Sequence, residues 1–508
     1  MDVVAHEARP PSSSKKLVSH VILVLGIVSI AVVMRVYGLN GLFAHDYDEG
    51  VYWQTLRAMH AGFDLYDPIF YAQPPLFVLS VYPFYALFGQ SIAAARAGIA
   101  ALSLLGLLGA YMMGKALAGR AGALVAMILL AFTPIYLRQS QILQAEGPST
   151  AFLFLSVGAA LMWWERPVGK TAVILAIVCG ATLSIGILTK LLNVTAAVPI
   201  LMLILWRVWS LWRESNSKNP TGLVTILLGF IVALAVALIT LMPFLPSLSA
   251  LLDQVVSYHL VAKKVGRTDN FEILGRFFIT NGVLSVAVII GVVAALLRRD
   301  RRVIPLLAWL VTTIVLLAVQ FPLFPRHVIV LIPSLIALTV LGLSDSASVE
   351  QAREILHARM PSAHLGGLLM GLLVFAAVVA GVVGSYRHYQ GLRARAESSV
   401  ARGAAAMAAD LRRVTTPAQW IITDAQFVAA LADRDTPPLL VDTSQVRILS
   451  GYLTTQELLE AASDPRVHVV LFATNRLALG PAAGFHSWVS QHFALVRRHG
   501  PGIELWIR

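Results

Sequence analysis

The chain is short of cysteine, of charge, and of acid above all. Cys179 is the one cysteine in 508 residues, so an intrachain disulfide and a cysteine-built metal site are both excluded. Inside its apolar run it reads as a small buried hydrophobe. Charged residues are 13% of the chain against 57% hydrophobic ones, where a soluble domain carries about 25% charge. In water such a chain would expose large apolar patches, so a bilayer is the expected solvent. The first apolar run is expected to be an uncleaved span. The polar start through Lys15 and Lys16 enters an apolar run at about 17–39 that is too long for a signal-peptide core, and no small-residue cleavage site follows it. Neither a long-period repeat nor a low-complexity tract occurs.

What is present is a series of apolar runs near the ~20 residues that a crossing needs. They fall at about 17–38, 93–117, 120–137, 148–164, 171–188, 191–209, 221–245, 279–297, 303–321, 327–343 and 366–385. The expected fold is mainly α, a polytopic membrane helical bundle of about 11 to 13 spans. The net charge of +12 comes from short basic clusters between these runs. That placement suits topology signals and anionic lipid surfaces, not nucleic acid. Lys15 and Lys16 put the N-terminus on the cytoplasmic side, and the densest cluster, Arg298 to Arg302, then falls inside as well. The piece Pro74 to Gly89 is short for a crossing and carries Pro74, Pro75 and Pro83. It reads as a juxtamembrane or re-entrant helix, because counting it as a span would move the Arg298 cluster outside.

Two domains are expected: 1–386 in the membrane, with a first outer loop at 39–92, and 387–508 as a small extracytoplasmic α/β domain. In the tail an Ala- and Arg-rich helix, about 392–413, leads into alternating runs. Strand-like runs are Trp420–Thr423, Leu439–Val441, Val467–Phe472 and Ile503–Ile507; helix-like runs are Ala425–Ala432, Thr455–Ala462 and Phe485–His492.

With this topology the polar residues collect on the outer side. The first outer loop opens His45-Asp46-Tyr47-Asp48-Glu49-Gly50, crowding carboxylates that raise one another's pKa unless a cation or metal answers them. Farther along, Gln73-Pro74-Pro75-Leu76 aims the next helix rigidly. Glu146 is the sole carboxylate of the second outer loop, at a membrane border where an acid is a functional candidate. Lys190, Lys263, Lys264, Arg267, Arg326 and His327 also fall outside, against the usual charge bias. An anionic ligand would explain them, since guanidinium forks suit phosphate oxygens. Carboxylates beside phosphate-binding cations, next to lipid, point to chemistry on a lipid-borne phosphate. A carboxylate would take a proton from an acceptor hydroxyl, and cations or a metal would stabilise the departing phosphate.

On these residues the chain resembles the membrane glycosyltransferases that use polyprenyl-phosphate sugars, the superfamily of protein O-mannosyltransferases and lipid A aminoarabinose transferases, with a GT-C type fold. The matching features are Asp48-Glu49-Gly50-Val51-Tyr52, Pro74-Pro75-Leu76, Phe88-Gly89, Gly119-Arg120-Ala121-Gly122, Glu146, Leu188-Thr189-Lys190 and Pro325-Arg326-His327. The resemblance implies Asp48 as catalytic base of an inverting displacement, with Glu49 as a supporting carboxylate; Tyr52 and Gln73 are expected among the substrate- or phosphate-binding residues. It implies Glu146 in metal or substrate placement, Asp48 and Glu146 as the ligands of any divalent metal, and Arg326 and Lys190 near the carrier phosphate. Where the aminoarabinose transferases have an acid and a lysine before Pro-Pro-Leu, this chain has Ala72 and Gln73. One metal ligand and one phosphate-binding lysine are thereby removed, and Lys263, Lys264 or Arg267 are the substitutes at hand. The expected partners are a polyprenyl-phosphate sugar, membrane lipids and a protein, lipid or polysaccharide acceptor. The competing readings are a transporter or flippase for lipid-linked glycans, disfavoured by span interiors nearly free of charge, and a scaffold that only presents the tail.

Overall fold

The computed structural model describes residues 13–39, 47–213, 221–262, 268–344 and 362–508. The first half runs α1 (Ser13–Val36), α2 (Tyr47–His60), α3 (Leu76–Leu87), α4 (Ile92–Phe132), α5 (Pro134–Gln139), α6 (Glu146–Glu165) and α7 (Lys170–Thr189). Among the described residues seven helices are long and apolar enough to cross a membrane, and an eighth appears if the pair Asn270–Thr280 and Gly282–Leu297, bent by 85°, is one span. The expected eleven is reached only by counting α4 twice and the shorter helices Val303–Val319 and Pro325–Leu341 as crossings.

Counting α4 twice has a physical basis. Helical geometry breaks at Ala118 and Gly119, with Gly119 at φ 64°, a left-handed conformation that glycine adopts without steric cost. Beyond the break the chain turns back on itself. A Cβ on Gly114 would sit 2.3 Å from the Gly122 carbonyl oxygen, a distance that a straight helix could not give for residues two turns apart. The element is therefore a hairpin of the two spans expected at 93–117 and 120–137. The piece expected as juxtamembrane is α3, a helix of 12 residues with Pro83 inside it.

The ends of the bundle sort as the charge pattern anticipates. Arg298 donates to the carbonyls of Leu341 (2.7 Å) and Gly342 (3.1 Å). Arg302 donates to the Ala116 carbonyl at 2.9 Å and pairs with Asp300 at 2.7 Å and Glu165 at 3.3 Å. One basic end thus gathers the turn of α4, the end of α6 and the end of Pro325–Leu341. Glu146 begins α6, whose 20 residues put it about 30 Å from Glu165 at 1.5 Å per residue.

The helix Ser362–Ala396 runs without a break through the expected domain boundary at 387. After Ser399–Val414 comes a four-stranded sheet of β1 (Trp420–Thr423), β2 (Val467–Phe472), β3 (Ala494–Gly500) and β4 (Ile503–Ile507), in the order β1-β2-β4-β3. β1 and β2 are parallel; β4 is antiparallel to both β2 and β3. Its core is Ile422, Leu458, Val470, Phe485 and Trp506. The run Leu439–Val441, expected as a strand, lies in the short 3₁₀ turn Pro438–Leu440, because Pro437 and Pro438 have no N–H to give a ladder. β3 is an exposed edge with Arg497, Arg498 and His499 along it, so it shows none of the apolar alternation that marks a half-buried strand.

Candidate active site at the end of the bundle

Helix α2 decides which way each residue of Asp48-Glu49-Gly50 points. Asp48 and Tyr52, four apart, share one face, and Glu49 lies on another. Glu49 accepts from Arg96 Nε at 2.7 Å and Nη2 at 2.6 Å, and from the Leu143 N–H at 2.9 Å, with both side chains of the pair wholly buried. The expectation that Glu49 supports the chemistry is therefore corrected. It is sealed from any substrate and instead ties α2 to α4 and to the 140–145 turn. Gly50 has a different task. A Cβ there would lie 2.3 Å from the Phe427 backbone nitrogen, so the missing side chain is what lets the C-terminal domain dock on α2.

Asp48 forms an ion pair with Arg326. The same guanidinium lies 3.3 Å from Glu146 Oε1, which also takes a hydrogen bond from Lys190 Nζ at 2.7 Å and has His327 Nε2 at 3.8 Å. Arg326 therefore bridges two carboxylates that are about 100 residues apart in the chain. Asp48 and Arg326 keep side-chain exposures of 29% and 22%, against 3% for Glu146, so substrate can reach the first two.

Local breaks in helices aim the cations. α7 stops at Thr189 and Lys190 is extended, at φ −157° and ψ 123°. Asn193 Nδ2 latches that break to the carbonyls of Ser149 (2.8 Å) and Gly186 (3.0 Å). Arg326 and His327 sit at the start of the 3₁₀ segment Pro325–Leu331, where the Phe324 ring lies 4.6 Å under the guanidinium. Glu146 occupies the first turn of α6, where the helix dipole favours an anion.

Tyr52 packs edge-on against Phe77 at 4.8 Å and Tyr71 at 6.3 Å. Burial, and then the nearby Asp48 and Glu146, push its hydroxyl well above the usual tyrosine range, so it remains a proton donor. Gln73 gives only its backbone to the architecture, its carbonyl accepting from Tyr66 Oη at 2.9 Å; no hydrogen bond joins its side chain to the cluster among the described residues. Lys263, Lys264 and Arg267, like His45 and Asp46, lie outside the described residues.

Some residues at the site give no signal in the sequence. Tyr47 accepts the Thr443 N–H at 2.8 Å, donates to Asp442 Oδ1 at 3.2 Å, and has the Arg476 guanidinium 3.9 Å over its ring. Gln54 donates to the Arg434 carbonyl at 2.9 Å, and Arg57 pairs with Asp433 and Asp435 at 2.6 Å each. The C-terminal domain thus grips α2 on both sides of Asp48. Burial, and also Asp48 itself, hold the Asp442 carboxyl above the ordinary range against the pull of Arg447 and the Ser444 N–H. These contacts span nearly 400 residues of chain, beyond the reach of any local pattern.

Beside the cluster opens a cavity of about 1100 Å³ whose wall includes Arg138, Gln139, Gln144 and Arg326 among apolar side chains such as Phe132, Ile273 and Phe277. It can take a long apolar chain with a charged head. The described residues do not suit a divalent metal. No group of three or more metal-ligating side chains occurs among them, and the two expected ligands, Asp48 and Glu146, already share one guanidinium.

Comparison with solved structures settles the architecture. ArnT from Cupriavidus metallidurans, bound to undecaprenyl phosphate, superposes with a TM-score of 0.63 at 14% identity, over 97% of this chain and 98% of that one. Its apo form gives 0.61 at 15% identity over the same shares. The GT-C type fold is established. The archaeal oligosaccharyltransferase AglB from Archaeoglobus fulgidus, in complex with an inhibitory peptide and a dolichol-phosphate, shares the GT-C fold at a TM-score of 0.54 and 14% identity, over 95% of this chain and 73% of that chain. Residues 72–242 match the family model described as dolichyl-phosphate-mannose-protein mannosyltransferase. The matched segment holds Glu146 and Lys190, while Asp48 and Arg326 reach the site from outside it. No curated protein matches. The resemblance drawn from the sequence, to polyprenyl-phosphate-dependent glycosyltransferases, is borne out.

Proposed function

We propose that the protein is a glycosyltransferase that moves a hexosyl or pentosyl unit from a polyprenyl phosphate to a hydroxyl acceptor at the outer face of the membrane. The observation that carries the reading is Arg326 joining Asp48 to Glu146 at the head of an apolar-walled cavity. The relative solved with undecaprenyl phosphate supports a polyprenyl-phosphate ligand. The carrier chain lies along Phe132, Ile273 and Phe277, and its phosphate meets Arg326 and Lys190.

Asp48 is the base. As the acceptor oxygen bonds to the anomeric carbon, its proton passes to Asp48, and the bond from that carbon to the phosphate oxygen breaks on the opposite face. Configuration inverts, and the bonding pair leaves with the polyprenyl phosphate, whose charge falls to Arg326 and Lys190. Glu146 is no base here: held by Lys190 at 2.7 Å and by Arg326 at 3.3 Å, it orients the two cations. The described residues give no three-ligand metal set. The position of the cluster at the end of α6, not midway along it, weighs for transfer over translocation by a flippase, which would hold its ligand near midmembrane.

The test is the purified protein in vesicles supplied with polyprenyl phosphate labelled in its sugar. Transfer predicts free polyprenyl phosphate and label on an acceptor. Labelled lipid that changes leaflet with its glycosidic bond intact would establish the flippase instead.

A further inference from the structure

The end of α5 and the turn between it and Glu146 carry three buried glutamines, and they differ in one respect. Gln141, which does not line the cavity, is fully satisfied. Its Nε2 donates to the carbonyls of Met34 (2.8 Å) and Tyr37 (3.2 Å), and its Oε1 faces His388 Nε2 at 2.9 Å. Gln139 and Gln144 both line the cavity. Gln144 is 1% exposed, yet neither its Nε2 nor its Oε1 has a partner; Gln139 is 2% exposed, and its Oε1 has none. The turn cannot readily relax to pair them, because Glu49 holds the Leu143 N–H at 2.9 Å and Glu146 is anchored two residues on.

A buried amide without partners is costly, and such groups in a native fold call for an explanation. The chemistry of the missing partner can be specified. A phosphate oxygen accepts only, so it could satisfy Gln144 Nε2 but not the Oε1 of either residue. An apolar carrier chain offers nothing to either atom. A hydroxyl both donates and accepts, so a ring bearing several hydroxyls has the chemistry that both glutamines lack. In a cavity whose wall also includes Arg326, the group of that chemistry is the sugar attached to the phosphate.

We propose that Gln144, with Gln139, reads the hydroxyl groups of the donor's sugar and distinguishes loaded from empty carrier. This rests on the function proposed above and adds to it. Arg326 and Lys190 bind what every carrier has, and the two glutamines bind what only a loaded carrier has. After transfer the empty carrier loses those bonds and leaves more readily.

The test compares the wild type with Gln144→Met, which keeps the volume and removes the polarity, and with Gln139→Met. Binding is measured by thermophoresis for bare polyprenyl phosphate and for the same chain carrying mannose or glucose. The wild type is expected to bind at least one loaded form more tightly than the bare one. Gln144→Met should weaken that loaded form by about tenfold or more, equivalent to ~1.4 kcal/mol, and leave the bare form unchanged. The unliganded variant should melt no lower than the wild type, since it loses an unpaired amide. Equal loss for loaded and bare carrier, or no loss for either, overturns the inference and leaves the proposed function standing. A wild type that binds neither form overturns both.

Discussion

Gly50→Ala adds a single methyl group and sets two physical effects against each other. In an isolated helix alanine is better than glycine by about 1 kcal/mol, so local propensity predicts a gain. The packing predicts a loss. The new Cβ would sit 2.3 Å from Phe427 N, 2.8 Å from its Cα and 2.9 Å from its Cβ, where ordinary contacts begin near 3.5 Å. The obstacle is backbone, so α2 or the C-terminal domain must retreat by roughly 1 Å. Overpacking of this kind costs about 1–3 kcal/mol, which outweighs the propensity gain. The effect on turnover should be larger. Asp48 lies in the first turn of α2, two residues before the clash, and a displacement of about 1 Å at a reacting group can cost roughly 100-fold in rate. Transfer assays on the detergent-purified variant should show kcat down by about that factor and a lower Tm, although no charged group has changed. Wild-type kcat together with wild-type Tm would refute the claim that this close approach positions the base.

Two further outcomes follow. Glu49→Gln leaves the Arg96 guanidinium buried without its counter-charge, a change that costs about 3–5 kcal/mol, and Glu49→Gln with Arg96→Met should recover part of it in denaturant unfolding; a stable single variant that had merely lost activity would return Glu49 to the site. The Asp442 carboxyl is raised in the folded state, so its stabilising contribution is full below the unfolded value near 3.9 and is lost as pH rises through the folded one. The Tm of the wild type should therefore gain on Asp442→Asn as pH falls from 7 to 4, and parallel curves across that range would contradict the assignment.

Membrane class, helix positions and the charged residues of the candidate site were legible because they follow from local quantities. Apolar run length marked the long helices, and Arg298 and Arg302 gather at one end with the turn of α4. Glu146, Lys190 and Arg326 stood out as charges where the bilayer makes charge expensive, and the fold joins the three, with Arg326 pairing on to Asp48. What could not be read depends on contacts across the chain. Glu49 looked like the twin of Asp48 because helical direction alone separates them, and its partner Arg96 hides 47 residues on within an apolar run. The tail looked separate because its grip on Tyr47, Gln54 and Arg57 is built from common residue types with no periodic signature. Gln139 and Gln144 were silent for another reason: an unpaired amide is a property of three-dimensional surroundings and leaves no mark on composition or spacing.

The central claim is that Asp48 removes the acceptor's proton. The most direct measurement is single-turnover transfer from a labelled polyprenyl-phosphate sugar by Asp48→Asn, with binding of bare polyprenyl phosphate recorded on the same preparation. Loss of a general base predicts a transfer rate lower by about 100- to 10,000-fold with carrier binding retained. Transfer at the wild-type rate by a variant that still binds the carrier would contradict the account.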